Sequence, residues 1–224
     1  MTTAPHYSRD TAGGAGTNRR ARARVDTGPA GQSTGERTRE PMRERIIDVA
    51  IDLFARQGYQ GTSLRHLAER LGISKAAVYH HYRAKDDIAR VVIRRALDAI
   101  ADMSDRLVVA GTDPAAWQRA LPQIIDIALG HRQLLFVLER NEDAFHELFA
   151  DDPDIGARIA DRDAKFAALF ANPRLDPAVR IRLGCTLGAL LGPLVLLSDH
   201  YQDIPADQLR QHLNEAVTAL LRDL

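Results

Sequence analysis

Apolar residues recur at helical spacing along most of this chain, interrupted by glycine, proline and Asp-Pro breaks. Ile46, Ile47, Val49, Ala50, Leu53 and Phe54 form the first stripe. Pro41 suits the first turn of that helix, where its missing N–H costs nothing, and Gly58 suits its end. Leu64, Leu67, Ala68 and Leu71 make the buried face of a second helix, capped by Thr62 or Ser63. Gly72 supplies a turn, Ser74 caps a third helix, and Val78 and Tyr82 point back to the core. The pattern predicts a three-helix unit over residues 41–82.

A longer helix is predicted from Lys85 to Val108, with Ile88, Val91, Val92, Ala96, Ile100 and Met103 inward. Ala110-Gly111-Thr112 breaks it. Asp113-Pro114 restarts helix through a side-chain cap and a proline at the first position. Trp117, Leu121, Ile124, Ile125 and Leu129 are that helix's apolar face. Leu134 to Leu148 reads as helix with an irregularity near Asn141. Asp152-Pro153 opens another helix that ends before Asn172-Pro173. Asp176-Pro177 opens a long apolar helix through about Asp199, and Pro205 opens the last, to Leu224. The fold class is all-α: an N-terminal three-helix bundle with a helix-turn-helix, then a larger helical domain, about nine helices in all.

Composition agrees with a folded all-helical chain: 45% hydrophobic residues and few β-branched runs. Residues 1–36 lack apolar periodicity and are expected to form a disordered basic arm. Arg19, Arg20, Arg22 and Arg24 in it are either a solvated tail or a contact to phosphates. The N-terminus has no apolar signal core, and no long uncharged apolar run predicts a membrane helix. The single cysteine, Cys185, excludes an internal disulfide and fits a cytoplasmic location. The formal net charge of zero conceals a split: residues 1–95 carry 18 Lys/Arg against 10 Asp/Glu, and residues 96–224 carry 12 against 20. A basic N-terminal half suits a polyanion, through counterion release.

The basic half also holds the stretch Thr62 to Lys85, TSLRHLAERLGISKAAVYHHYRAK. In a helix-turn-helix the second helix enters the DNA major groove, its N-terminal residues at base edges. Lys75, Ala76, Tyr79 and His80 share one face opposite Val78, and small Ala76 and Ala77 let the helix axis come close to the groove floor. Lys75 can reach a guanine edge or a phosphate, and Tyr79 and His80 can donate to phosphates. Lys85, at a helix start, combines an ammonium with the positive end of a helix dipole.

The run Arg43 to Ile88 resembles the N-terminal domain of the TetR family of transcriptional regulators. The resemblance rests on the helix ending at Phe54, Gly58 and Tyr59, on Thr62, on the LAERLGIS turn, and on Val78-Tyr79-His80-His81-Tyr82 followed by Lys85. It implies a homodimer with a helix-turn-helix domain over 37–84 and a helical effector-binding and dimerisation domain over 85–224. Carried over by position, Arg65, Lys75, Ala76 and Ala77 face bases, and Thr62 or Ser63, Tyr79, His80, His81 and Lys85 hold the backbone. Ser74, which caps the reading helix, belongs to the same set. Two positions depart from the family pattern: Ala84 stands where Ser or Asn is frequent, and Ala77 where Thr is frequent.

Gly184, Gly188 and Gly192 recur every four residues in an apolar helix. Such a ridge fits a dimer seam, an intrachain crossing or room for a ligand. The resemblance places dimerisation on the last two helices, which adds Leu187, Leu191, Leu194, Leu213, Val217 and Leu220 to the candidate seam. Trp117, Phe136, Phe145, Phe149, Phe166 and Phe170, with Leu107, Leu121 and Ile125, are either cavity wall or packed core. The histidines show no metal-ligand spacing, and adjacent His80 and His81 point about 100° apart on a helix. No nucleophile or acid–base constellation appears, so no enzyme activity, cofactor or metal is expected. The partners expected are a near-palindromic double-stranded operator, a second copy of the chain, and a small, largely apolar effector; a repressor released by that effector is the reading. A ligand carrier or enzyme with a structural helix-turn-helix, and an activator, are the rivals.

Overall fold

The structure, a computed structural model, describes residues 33–173, 175–196, 198–201 and 203–222. Among the described residues ten α-helices follow one another: α1 Ser33–Gln57, α2 Leu64–Leu71, α3 Lys75–His81, α4 Lys85–Ala110, α5 Pro114–Gly130, α6 Arg132–Arg140, α7 Glu142–Phe149, α8 Pro153–Phe170, α9 Pro177–Leu191 and α10 Ala206–Leu220. A π turn, Gly192–Leu196, and a short 3-10 turn, Ser198–Tyr201, separate the last two. The all-α class predicted from periodicity holds. The tenth helix arises because Asn141 divides the stretch predicted as one helix from Leu134 to Leu148.

Helix starts follow local chemistry. The Asp113 carboxylate accepts from the N–H groups of Ala115 and Ala116 at 3.0 and 3.1 Å. Asp152 accepts from Asp154 and Ile155 at 3.1 and 3.2 Å, and Asp176 from Ala178 and Val179 at 2.8 and 3.4 Å. Each cap, followed by proline, is worth about 1 kcal/mol.

Three boundaries differ from expectation. Helix α1 begins at Ser33 rather than Pro41, which lies inside it. Residues 33–36 of the expected arm are therefore helical, and residues 1–32 lie outside the described residues. Arg37, Arg39 and Glu40 are strong helix formers by type, which offsets the one backbone bond Pro41 cannot make. Helix α9 ends at Leu191 rather than near Asp199. Pro193 lacks the N–H that would continue the ladder and its ring crowds the preceding turn, so the chain widens into the π turn. The final helix ends at Leu220, with Leu224 outside the described residues.

Two apolar cores share α4. The first gathers Ile46, Ile47, Phe54, Leu67 and Val78 of the first three helices with Ile88 and Val92, and extends to Val137, Phe145, Phe149 and Ile155. The second surrounds Trp117 and joins Leu107, Ile125, Leu183, Leu213 and Val217. Ile100 packs against both. Helix α4 is about 39 Å long and links the N-terminal unit to the remainder of the molecule.

Along one side of α4 runs a series of ion pairs to α8. Arg90 meets Asp152 and Arg94 meets Asp154, both at 2.8 Å, and Asp105 meets Lys165 at 2.5 Å. Asp98 pairs with Arg158 between them. These groups are partly solvated, so each pair contributes about 1 kcal/mol or less. Their common effect is registry: α8 cannot slide along α4 without breaking several at once.

Candidate DNA-reading face and effector cavity

Helices α2 and α3 meet at Gly72, whose φ of 67° lies in the left-handed region. A Cβ there would meet nothing within 4 Å, so the turn needs glycine for its backbone conformation rather than for space. The Ser63 hydroxyl accepts from His66 N–H at 3.2 Å and starts α2. The Ser74 hydroxyl accepts from Ala77 N–H at 3.1 Å and starts α3. Of the two alternative caps for α2, Ser63 is the one used.

Val78 and Tyr82 anchor α3 inward, at 0% and 5% exposure. Ser74, Lys75, Ala76, Tyr79 and His80 lie on its exposed side, while Ala77 and His81 are half-buried. The Lys75 ammonium sits 5.4 Å from the Tyr79 ring centre. His80 and His81 meet edge to face, 5.4 Å apart. On α2, Arg65 is exposed and held to Glu69 at 2.7 Å.

Thr62 and Lys85 face elsewhere. Thr62 is only 3% exposed; its hydroxyl donates to the Gly58 carbonyl at 2.8 Å and accepts from Gln57 at 3.3 Å. It closes the α1–α2 turn. The Lys85 ammonium donates to the Tyr59 carbonyl at 2.8 Å and lies 3.8 Å from the centre of the Tyr59 ring. Burial lowers its pKa, partly opposed by the neighbouring Asp86 carboxylate. The side chain expected at a phosphate is thus folded inward, because its partner is a carbonyl 26 positions earlier that spacing along α4 does not reveal. Ala84 offers no capping oxygen, but its N–H donates to Asp87 at 3.0 Å, half of a capping box.

Tyr59 is the hub of this corner. Its hydroxyl donates to Asp86 at 2.5 Å, and burial, then Asp86, push its pKa up. Its ring stands edge-on to Phe54 and Phe145, both at 5.6 Å, and Phe54 meets Phe145 at 6.3 Å. Its N–H donates to Asn141 Oδ1 at 2.6 Å. Buried Asn141 in turn donates to Val137 at 2.7 Å and to Phe54 at 3.4 Å through its amide nitrogen. Sequence reasoning noticed Asn141 only as a helix irregularity, and an isolated polar residue gives no signal of its partners.

A cavity of about 710 Å3 lies between α4, α5, α6, α7, α8, the end of α9 and the π turn. Leu107, Phe145, Phe149 and Phe166 line it, as candidates from the sequence. Trp117, Leu121, Ile125, Phe136 and Phe170 do not. Trp117 is fully buried, donates to the Gly111 carbonyl at 2.8 Å and meets Phe170 edge-on. On α5 it is Ile124, not Ile125, that reaches the cavity; one residue is a turn of about 100°. Phe136 lies on another side of α6, in a groove with Arg56 of α1. Because α5 is apolar over much of its girth, periodicity does not say which residue meets open space.

Gly184 and Gly188 are exposed, and a Cβ on either of them or on Gly192 would meet nothing within 4 Å. No helix among the described residues crosses this ridge, which removes the intrachain reading. Ile181 at 63%, Cys185 and Leu191 at 40% exposure complete an outward apolar stripe on α9. The rest of the candidate seam lies elsewhere. Leu187 and Leu194 line the cavity, Leu213 and Val217 are buried in the second core, and Leu220 is half-buried. The α9 helix has two apolar faces back to back, and sequence alone merges them. Residues 177–195 are also long and apolar enough to cross a membrane by length and composition, although Arg180 and Arg182 lie within them. Among the described residues, no group of three His, Cys, Asp or Glu is arranged to hold a metal.

A capped, glycine-turned helix pair with an outward basic face, joined to a helical body containing a ligand-sized cavity, defines a helix-turn-helix fold with an appended helical domain. Residues 46–92 match the family model for bacterial regulatory proteins of the tetR family, about a fifth of the chain. The HTH-type transcriptional repressor KstR2 of Rhodococcus jostii (strain RHA1) is 31% identical over 93 residues, 42% of this chain and 44% of its own length. The chain thus spans less than half of that relative. The HTH-type transcriptional repressor Rv1474c of Mycobacterium tuberculosis is 26% identical over 184 residues, 81% of each chain. Among solved structures, KstR2 of Mycobacterium tuberculosis, titled a ketosteroid transcriptional regulator, has a TM-score of 0.57 at 17% identity, covering 80% of this chain and 93% of its own. AmtR of Mycobacterium smegmatis has a TM-score of 0.56 at 22% identity, covering 86% and 88%. These structural likenesses concern the fold.

Proposed function

We propose that this protein is a cytoplasmic, dimeric transcriptional repressor that reads an operator with α3 and releases it when a small molecule fills the cavity. Residues 37–84 serve as the reading head, and residues 85–224 as the effector-binding and dimerisation domain. Lys75, Ala76 and Ala77, with Arg65, face bases; Ser63, Ser74, Tyr79, His80 and His81 hold the backbone. Thr62 and Lys85 act by fixing the shape of the head. Gly184, Gly188, Gly192 and Leu191 form the seam with a second copy. No cofactor and no catalytic step are needed.

The observation that carries the ligand-responsive part is Phe145. It is a wall of the cavity and also packs on Phe54 and Tyr59 of the head. A ligand that displaces Phe145 must repack the corner that holds α1 and the start of α4. The shift in operator affinity equals the ligand's preference for one head arrangement over the other. The repressor reading is supported by the names of the two relatives described above.

The test is retention of genomic DNA fragments at physiological salt by the full chain and by Ala76→Glu. Ala76 is exposed, so the added carboxylate leaves the fold intact and meets phosphate. Specific retention that the variant lacks, with transcription from the retained fragments rising when the gene is deleted, is expected. Equal retention by both proteins, or falling transcription, overturns the reading.

A further inference from the structure

The polar groups of the cavity select a charge. Its wall is mostly aliphatic and aromatic, and the exceptions are Ser104, Glu139, Glu142, His146, Arg162 and Asp163. Ser104 is the interior one, 1% exposed. Its hydroxyl already donates to the Ala101 carbonyl at 3.0 Å, so it faces a ligand as an acceptor. The interior therefore offers an anion no free side-chain donor. Burying a carboxylate without donors carries a penalty of several kcal/mol.

Of the wall residues on α6, α7 and α8, Glu139, Glu142, His146 and Asp163 are exposed, which places them at the rim. Among the described residues of the wall the guanidinium is that of Arg162, bound to its neighbour Asp163 at 2.8 Å, while Arg140 lines the adjoining groove with Glu139 and Glu142. Glu139 and Glu142 pair with no cation among the described residues. They flank Asn141, the residue bonded to Tyr59 of the head. A cationic group seated between them would thus act on the α6–α7 joint directly.

We infer that the effector is an amphiphile with an apolar body and a cationic nitrogen at one end, the body in the cavity and the nitrogen between Glu139 and Glu142. This rests on the effector-cavity reading proposed above. The apolar body supplies most of the binding and the two carboxylates supply discrimination. Carboxylate-bearing amphiphiles of the same length are rejected twice, by the rim charge and by an interior without a free side-chain donor among the described residues.

Three probes of one chain length test this on the full-length dimer by titration calorimetry, all below their micelle concentrations: decyltrimethylammonium, decanol and decanoate. The ammonium is expected to bind about tenfold or more tightly than the carboxylate, the size of a near-surface charge interaction at a few ångströms. Glu139→Gln/Glu142→Gln is expected to abolish that preference while decanol binding changes less than about twofold. Ile159→Trp, which fills the cavity from α8, is expected to weaken all three. If the carboxylate binds as tightly as the ammonium, or the double variant keeps the preference, the ligand class is overturned. If no probe binds, or Ile159→Trp leaves binding unchanged, the cavity reading itself fails.

Discussion

The backbone N–H of Tyr59 donates to the side-chain oxygen of Asn141 at 2.6 Å, across 82 positions of sequence. This bond ties the turn after α1 to the joint between α6 and α7. Asn141 completes its capacity on Val137 and Phe54, so one buried amide fixes three backbone groups in two parts of the molecule. Removing it leaves a buried N–H without its acceptor, at a cost of about 1–3 kcal/mol. Asn141→Ala is therefore expected to lower the unfolding free energy by that amount in a denaturant titration. It should also reduce by at least about fivefold the effect of a cavity ligand on DNA affinity, because couplings of this kind amount to about 1–3 kcal/mol. An unchanged ligand effect in a destabilised variant would mean that Asn141 holds the fold without carrying the signal.

The outward face of α3 divides by chemistry. Lys75→Ala should relax base preference, since a good base contact discriminates by about 1–3 kcal/mol. Tyr79→Phe should weaken binding to specific and random DNA alike if the hydroxyl holds phosphate. Affinities of both variants for a selected site and for scrambled DNA separate the roles; equal losses on both DNAs in both variants refute the division.

How far these roles were legible depends on the range of the interaction that sets them. The Asp113, Asp152 and Asp176 starts, the Gly72 turn and the inward Val78 all follow from residues within four positions, and periodicity found them. Lys85 could not be read this way, because its orientation is set by the Tyr59 carbonyl and ring. Trp117 fits cavity wall or packed core equally by spacing, and its indole N–H, committed to the Gly111 carbonyl, holds it in the core. Leu187 and Leu191 lie four apart on α9 and both border the cavity, yet Leu187 is half-buried and Leu191 is 40% exposed. Distinguishing them needs the packing of α6 and the π turn, which is tertiary information.

Gly188 offers a direct test of the α9 stripe. A side chain there meets nothing within the protomer, so Gly188→Arg should leave the protomer folded and gain helix propensity. If α9 pairs with a second copy, the arginine blocks close approach and shifts the sedimentation coefficient from dimer to monomer at micromolar concentration. A variant that remains fully dimeric places the seam elsewhere.

Asp152 gives the α4–α8 joint a pH dependence. The Ile155 N–H, and next the Arg90 guanidinium, hold its carboxyl below the ordinary 3.8. A depressed folded value means that the stabilisation is complete above the unfolded value and is lost as pH falls through the folded one. Asp152→Asn should therefore be less stable than the parent at neutral pH, with the difference closing below pH 3.8. Thermal unfolding of both proteins across that range checks the sign; a difference that grows on acidification contradicts it.

The proposed function requires two copies of this chain to read DNA together through α3. Selection of bound sequences from a random double-stranded pool by the full-length protein addresses it most directly. Two inverted half-sites with centres about 34–36 Å apart, or a multiple of that distance, are expected. Enrichment of a single unsymmetrical site, or of no sequence at all, would contradict it.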